Sequence, residues 1–259
     1  MLINNQLQER NEALSSEFQT VRVESTVTFE ELGQRQAKFE DLEAELQYFT
    51  TLAVQLHREN YRIRSGSQLN EENDFLVKEM FPGNNIQKSV NLRNRNLDQH
   101  QEILVSAGLT ANPHIEELDI ACNNITHFGC KAFSDAIVLN STLKILWLNR
   151  NPIGARGMVF LTKALEVNGQ LIFIDLDHVM CDNSGAIALS EALKVIAGLN
   201  EIHLDFNRID DQGGEALAEA MVVNTRVKLW LRGNSLTEGK MRELKARFGS
   251  RIRVNNPYK

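Results

Sequence analysis

Cys122, His178 and His203 occur in one half of the chain with Asp175, Asp177 and Asp205, and thiolate, imidazole and carboxylate are the groups that ligate metal ions. Strand neighbours lie about 4.8 Å apart, so His178 and His203 approach if they sit on adjacent strands, whereas Cys122 falls two strands from His178. The set reads as polar surface, and neither a metal nor another cofactor is expected. Gly233 to Lys240 imitates a phosphate loop, but the spacing is one residue too long and Met241 stands where Ser or Thr must follow the lysine. H-E-x-x-H, G-x-S-x-G and the dinucleotide fingerprint do not occur. These residues predict no enzyme. Trp147, Trp230, Phe173 and Phe206, with Arg150 and Arg232, belong instead to the types that dominate protein interfaces.

The elements that must position them recur every 28 residues. The run from Ile115 to Ile125 reads L-x-x-L-x-L-x-x-N-x-L, with Ile allowed for Leu. The same register holds at Leu143, Leu146, Leu148, Asn151 and Ile153, and again at Leu199, Ile202, Leu204, Asn207 and Ile209. Leu171, Ile174, Leu176 and Cys181 keep it between these; Val90, Leu92 and Leu97 keep it upstream. Downstream, after a single deletion, Leu229, Leu231, Asn234 and Leu236 follow it. The second half of each unit carries pairs at i, i+1, i+4 and i+5, one stripe of a helix, as in Phe160, Leu161, Ala164 and Leu165. The column Gly108, Ala136, Ala164, Ala192, Ala220 holds only minimal side chains, as close helix approach demands. Gly129, Gly157, Gly185 and Gly213 mark a point just before the helix where crowding or a positive φ excludes a Cβ. Asn112, Asn140, Asn168 and Asn224 precede the strand, and Ile196 breaks that column. Fixed-period self-similarity of this kind predicts a solenoid, because no unit buries its apolar side alone.

With these columns in place, residues from about 87 to 254 resemble the ribonuclease-inhibitor-like class of leucine-rich repeat. The resemblance implies an α/β solenoid, a horseshoe with parallel strands on its concave side and helices on its convex side. Related arcs occur in nucleotide-sensing immune receptors, the Ran GTPase-activating protein, tropomodulin-like actin regulators and bacterial effectors. The fold does not choose among those roles. Arg95 and Val179 occupy the slot of Asn123, Asn151 and Asn207, so an asparagine ladder is interrupted in the first and fourth units.

Alternation along each strand sends the residues between the core positions outward. Asp119, Trp147, Asp175, His203 and Trp230 then face the concave side, followed by Asp177, Asp205 and Arg232, with Phe173, Phe206 and Arg150 flanking. These eleven residues are the expected partner-binding set. Their carboxylates predict a protein partner with a basic patch.

Residues 86–259 form the repeat domain, with about six repeats and a C-terminal cap: a helix over 237–248, the alternating strand Arg251-Ile252-Arg253-Val254, and polar closing residues. Residues 1–85 read as a helical N-terminal region. Leu32, Phe39, Leu42, Leu46, Phe49, Ala53 and Leu56 fall at heptad sites, a stripe suited either to a homodimer through 32–56 or to capping the first repeat. A shorter helix spans 69–81 and stops at Pro82-Gly83.

The net charge of −6 is uneven: residues 1–85 hold 15 acidic and 8 basic side chains, the remainder 19 and 20. That balance argues against nucleic acid or membrane as the partner, since both require a basic stripe. No apolar run reaches a membrane span, the start lacks a signal-peptide pattern, and the cysteine count is odd at 3. A cytoplasmic, reducing setting is expected, or a host cytoplasm if the chain is an effector. A non-enzymatic protein-binding scaffold is the leading expectation, with an effector using the same face as one alternative. A GTPase-activating protein, using Arg93, Arg150 or Arg232, is another.

Overall fold

The computed structural model describes residues 87–255 together with residues 76, 79 and 80. The heptad stripe at 32–56, with its dimer-or-cap alternatives, lies outside the described residues, as do most of 69–81 and the closing Asn256-Pro257. Each repeat begins with a three-residue strand: β1 (Ser89–Asn91), β2 (Glu117–Asp119), β3 (Ile145–Trp147), β4 (Phe173–Asp175), β5 (Glu201–His203) and β6 (Lys228–Trp230). Helices follow as α1 (Gln99–Ala111), α2 (His127–Leu139), α3 (Gly154–Val167), α4 (Asn183–Leu193), α5 (Asp211–Val223) and α6 (Glu238–Phe248), before β7 (Ile252–Arg253).

The strands are short because the pattern supplies two consecutive inward positions. Val90, Leu118, Leu146, Ile174, Ile202 and Leu229 are buried at the strand centres, and the residues two further on bury just beyond the strand ends. Burying each such aliphatic contributes about 1.5–3 kcal/mol. The sheet is open and parallel, with β1 to β7 in chain order. Glu117 pairs with Ile145 and Ile145 with Phe173, whereas Glu201 pairs with Lys228, the step shortened by the deletion seen in the sequence.

Two asparagine ladders satisfy the backbone that such short strands leave unpaired. Asn151 is fully buried; its Nδ2 donates to the carbonyls of Ile120 and Leu148, and its Oδ1 accepts from the N–H groups of Asn123 and Ile125. Asn123, Asn207 and Asn234 repeat the arrangement. Where Val179 interrupts the ladder, the preceding turn changes: Gly154 takes φ +66° and donates its N–H to the Val179 carbonyl, and α3 begins without a side-chain cap. The second ladder closes the helix ends. Asn140, Asn168 and Asn224 donate to carbonyls of the preceding helix and accept from the N–H groups that enter the next strand. Arg251 performs this task at the last repeat, donating to the carbonyls of Met221 and Asn224.

The glycine column lies inside the first turn of each helix rather than before it. None of its members has positive φ; crowding is the reason for glycine, since a Cβ at Gly185 would stand 2.8 Å from Cys181 Sγ and one at Gly213 would stand 2.7 Å from Ile209 Cγ2. Gly108 heads the small-residue column for a separate reason. Leu76 and Met80 are helical and buried, and Met80 packs directly over Gly108, closing the first end of the core. At the other end Ile252 and Val254 bury against α6 and β6.

Candidate functional site

The face of the sheet opposite the helices displays the residues that alternate with the core. Parallel register aligns Asp119, Trp147, Asp175, His203, Trp230 and Arg253 in one row across β2 to β7. Phe173 belongs to the neighbouring row and fills the gap left by the short Asp175. The ring centroids of Trp147 and Phe173 are 5.7 Å apart, those of Phe173 and His203 4.9 Å, and those of His203 and Trp230 4.2 Å. Arg253 lies 4.2 Å from the Trp230 ring centroid and Arg232 lies 4.8 Å from it, so two guanidinium groups engage one indole. The four rings are half-buried and none belongs to the core.

Beside the rings stands a group of carboxylates. The Oδ1 of Asp175 accepts the Asp177 backbone N–H at 2.9 Å, and the Oδ1 of Asp177 accepts the Asp205 N–H at 2.6 Å. Asp205 corrects the expectation of an outward carboxylate: its side chain is fully buried, with Arg232 donating from its backbone N–H and from Nε at 2.7 and 2.6 Å. Arg232, not Asp205, is therefore the side chain that reaches the surface there. Burial, reinforced by the charges of Asp175 and Asp205, pushes the Asp177 carboxyl up to about 7. Asp175 is likewise raised, chiefly by burial. One ligand atom each from Asp175, Asp177 and His203 lie within 4.8 Å of one another.

The turns after the strands form a separate rim. Asn94, Cys122, Arg150, His178 and Phe206 each adopt φ between 55° and 60°, one per repeat, and Gly233 continues the series at 67°. A left-handed backbone is unfavourable for most side chains, and its recurrence shows that the tight exit from the strand dictates it. His178 therefore leaves the sheet face and stacks on Phe206 at 4.6 Å, nearly parallel. Burial and the Arg150 charge lower its pKa. Cys122 follows the same rim. The metal-ligand types noted in the sequence thus separate, with Cys122 and His178 on the rim and His203 beside the aspartates.

Of the expected partner-binding residues, Trp147, Phe173, Asp175, Asp177, His203, Trp230 and Arg232 come together. Phe206 and Arg150 belong to the rim, and Asp119 stands apart on β2, with its Oδ2 3.7 Å from Arg93. Arg253 escaped the sequence reading because β7 lies outside the 28-residue spacing; its alternation in Arg251-Ile252-Arg253-Val254 was the available signal. Cys122, Cys130 and Cys181 are free thiols, and burial raises Cys130 and Cys181 to about 12, which leaves them unreactive. No described helix is long and apolar enough to cross a membrane.

The family model described as Leucine Rich repeat matches residues 111–134, 139–161 and 199–218. No curated protein matches the chain. Among solved structures, it is similar to the tropomodulin C-terminal domain of Caenorhabditis elegans, at 14% identity and TM-score 0.49, over 59% of this chain and 92% of that one. It is also similar to the actin-binding site 2 of leiomodin-1, at 14% identity and TM-score 0.47, over 71% and 91%. Strand, turn and helix recur through a parallel sheet and the repeat model matches three of the units, so the chain folds as a leucine-rich repeat solenoid whose full helices resemble those of the ribonuclease-inhibitor-like class.

Proposed function

We propose that this chain is a non-enzymatic scaffold that binds a protein partner on the open, inner face of the sheet, centred on β3 to β7. The observation that carries the reading is the ring series Trp147, Phe173, His203 and Trp230, continuous across four strands on the side away from the core. Side chains of this kind gain most from desolvation by a partner, and truncating one such anchor typically costs about 2 kcal/mol or more of binding energy. The charges on this face divide. Asp175 and Asp177 suit a basic group in the middle, and Lys228, Arg232 and Arg253 suit an acidic group toward the last strand.

Nothing in the geometry singles out an arginine for insertion into a nucleotide site. Arg232 is held by buried Asp205, and Arg93 lies beside Asp119. Affinity purification on the intact chain, followed by titration of the recovered partner against Trp147→Ala and Asp177→Lys, tests the proposal. Both variants should bind at least about tenfold more weakly, Trp147→Ala at a nearly unchanged melting temperature and Asp177→Lys with a lowered one, since Asp177 holds the Asp205 N–H. Equal affinity for the parent and both variants removes this face as the docking site.

A further inference from the structure

The group formed by Asp175, Asp177 and His203 has features that partner docking does not require. Donor atoms around one ion at about 2.0–2.4 Å stand no more than about 4–5 Å apart, and the ligand atoms of these three residues lie within 4.8 Å of one another. Each carboxylate is oriented through Oδ1 by a backbone N–H, which leaves its Oδ2 without a hydrogen bond among the described residues. His203 is also held from behind. Its Nε2 is 2.8 Å from Glu201 Oε1, and because a carboxylate only accepts, Nε2 is the donor, so that a metal would be met by Nδ1, whose lone pair is free in that tautomer. A carboxylate behind the far nitrogen is the usual support of a metal-bound imidazole. Stacking on Trp230 and the edge contact with Phe173 fix the ring plane.

Asn149 is the second, independent sign. It is only 9% exposed, and its Oδ1 is sealed from solvent with no hydrogen-bond partner among the described residues. The reason lies in the repeat. At the equivalent positions on the next two strands, Asp177 Oδ1 reaches the Asp205 N–H and Asp205 Oδ1 reaches the Arg232 N–H. The N–H that would serve Asn149 by the same rule is that of Asp177, which Asp175 already holds. By strand register Asn149 stands beside Asp177, one repeat before it, and its Oδ1 has nothing to bond among the described residues. Buried polar atoms in this condition commonly mark an ion or a water. The charge points the same way: Asp175, Asp177 and buried Asp205 face the single paired guanidinium of Arg232, with Arg93 acting on Asp175 only at longer range.

We infer that Asp175, Asp177, His203 and the Asn149 Oδ1 form a binding site for one divalent transition-metal ion, set in the open face of the sheet. Three oxygens with one imidazole nitrogen favour Mn²⁺ or Zn²⁺ over the all-oxygen preference of Mg²⁺. The site belongs to the free protein and does not depend on a partner docking there.

Calorimetric titration of the full chain, stripped with EDTA, with MnCl₂, ZnCl₂ and MgCl₂ in separate runs tests this. One Mn²⁺ or Zn²⁺ should bind per chain, at least about tenfold tighter than Mg²⁺. Mn²⁺ should also quench tryptophan fluorescence, because the chain's 2 tryptophans, Trp147 and Trp230, flank the site. Asp175→Asn and Asp177→Asn keep the shape of the group and should each weaken binding at least about tenfold. Glu201→Gln, which touches no metal, should do so by about 10–100-fold through loss of its hold on His203. Cys122→Ser should change nothing. Absence of submillimolar Mn²⁺ and Zn²⁺ binding, or affinity unmoved in both aspartate variants, would overturn the site. Binding that disappears only in Cys122→Ser would relocate it to the rim and equally refute it.

Discussion

The first two strands and the last five share one backbone and carry different surfaces. On β1 and β2 the outward residues are Ser89, Asn91, Glu117 and Asp119, all polar and all short or solvated. From β3 onward the same slots hold Trp147, Phe173, His203, Trp230 and Arg253, in contact from strand to strand. The inward residues barely differ between the halves, being Val, Leu or Ile throughout. The repeat dictates the core and leaves the face free to vary, so a local concentration of rings on that face is a property of this chain and not of its architecture.

Substitutions can break that comparison in order of expected size. Asn151 serves both halves, and Asn151→Ala removes four hydrogen bonds and strands three buried backbone groups, the Ile120 carbonyl keeping Asn123 Nδ2, so urea unfolding should register a loss of about 3 kcal/mol or more. An equal loss in Trp147→Ala would erase the division between scaffold and face. Next comes a pH effect that the first half shares with Asp177 of the second. Glu102 is nearly fully buried on α1 over Gly129 of α2, and burial, then the charge of Asp98, raises its carboxyl to about 7 from the ordinary 4.5. Between those values the native chain keeps a proton that the unfolded chain has released, so stability falls as pH rises from 4.5 to 7 and stays lower above it. The decrease amounts to up to about 3 kcal/mol. Glu102→Gln should make that stretch of the stability profile, measured by thermal melts at several pH values, shallower and leave the fall that Asp177 contributes.

A third substitution sharpens the contrast at the face. Trp230→Ala should cost about 2 kcal/mol of partner affinity, while Asn91→Ala on β1 should stay within about 0.5 kcal/mol. Equal effects would mean that the partner covers the whole sheet. The smallest effect belongs to the convex side, where Lys131→Ala removes an exposed pair with Asp135. Stability there should change by no more than about 0.5 kcal/mol.

The repeat columns alone determined the strand order, the inward aliphatics, the asparagine ladders with their gaps at Arg95 and Val179, and the parity that turns Trp147 and Trp230 away from the core. A period of 28 residues forces every equivalent residue into one environment, so any position read once is read in all units. Departures from the average unit were decided elsewhere. Asp205 has the parity of a surface residue but is buried because Arg232, one strand on, closes over it. His178 has a ligand's chemistry but leaves the sheet because the turn places it in a left-handed backbone conformation. Arg253 joins Trp230 through a strand that follows no repeat, and Asn149 lacks a partner because Asp175 reaches the Asp177 N–H before it can. Two of these are side-chain contacts between different units, Asp205 with Arg232 and Arg253 with Trp230, and two are set by local backbone geometry at the strand exit; a column of equivalent residues contains neither the distances nor the turn.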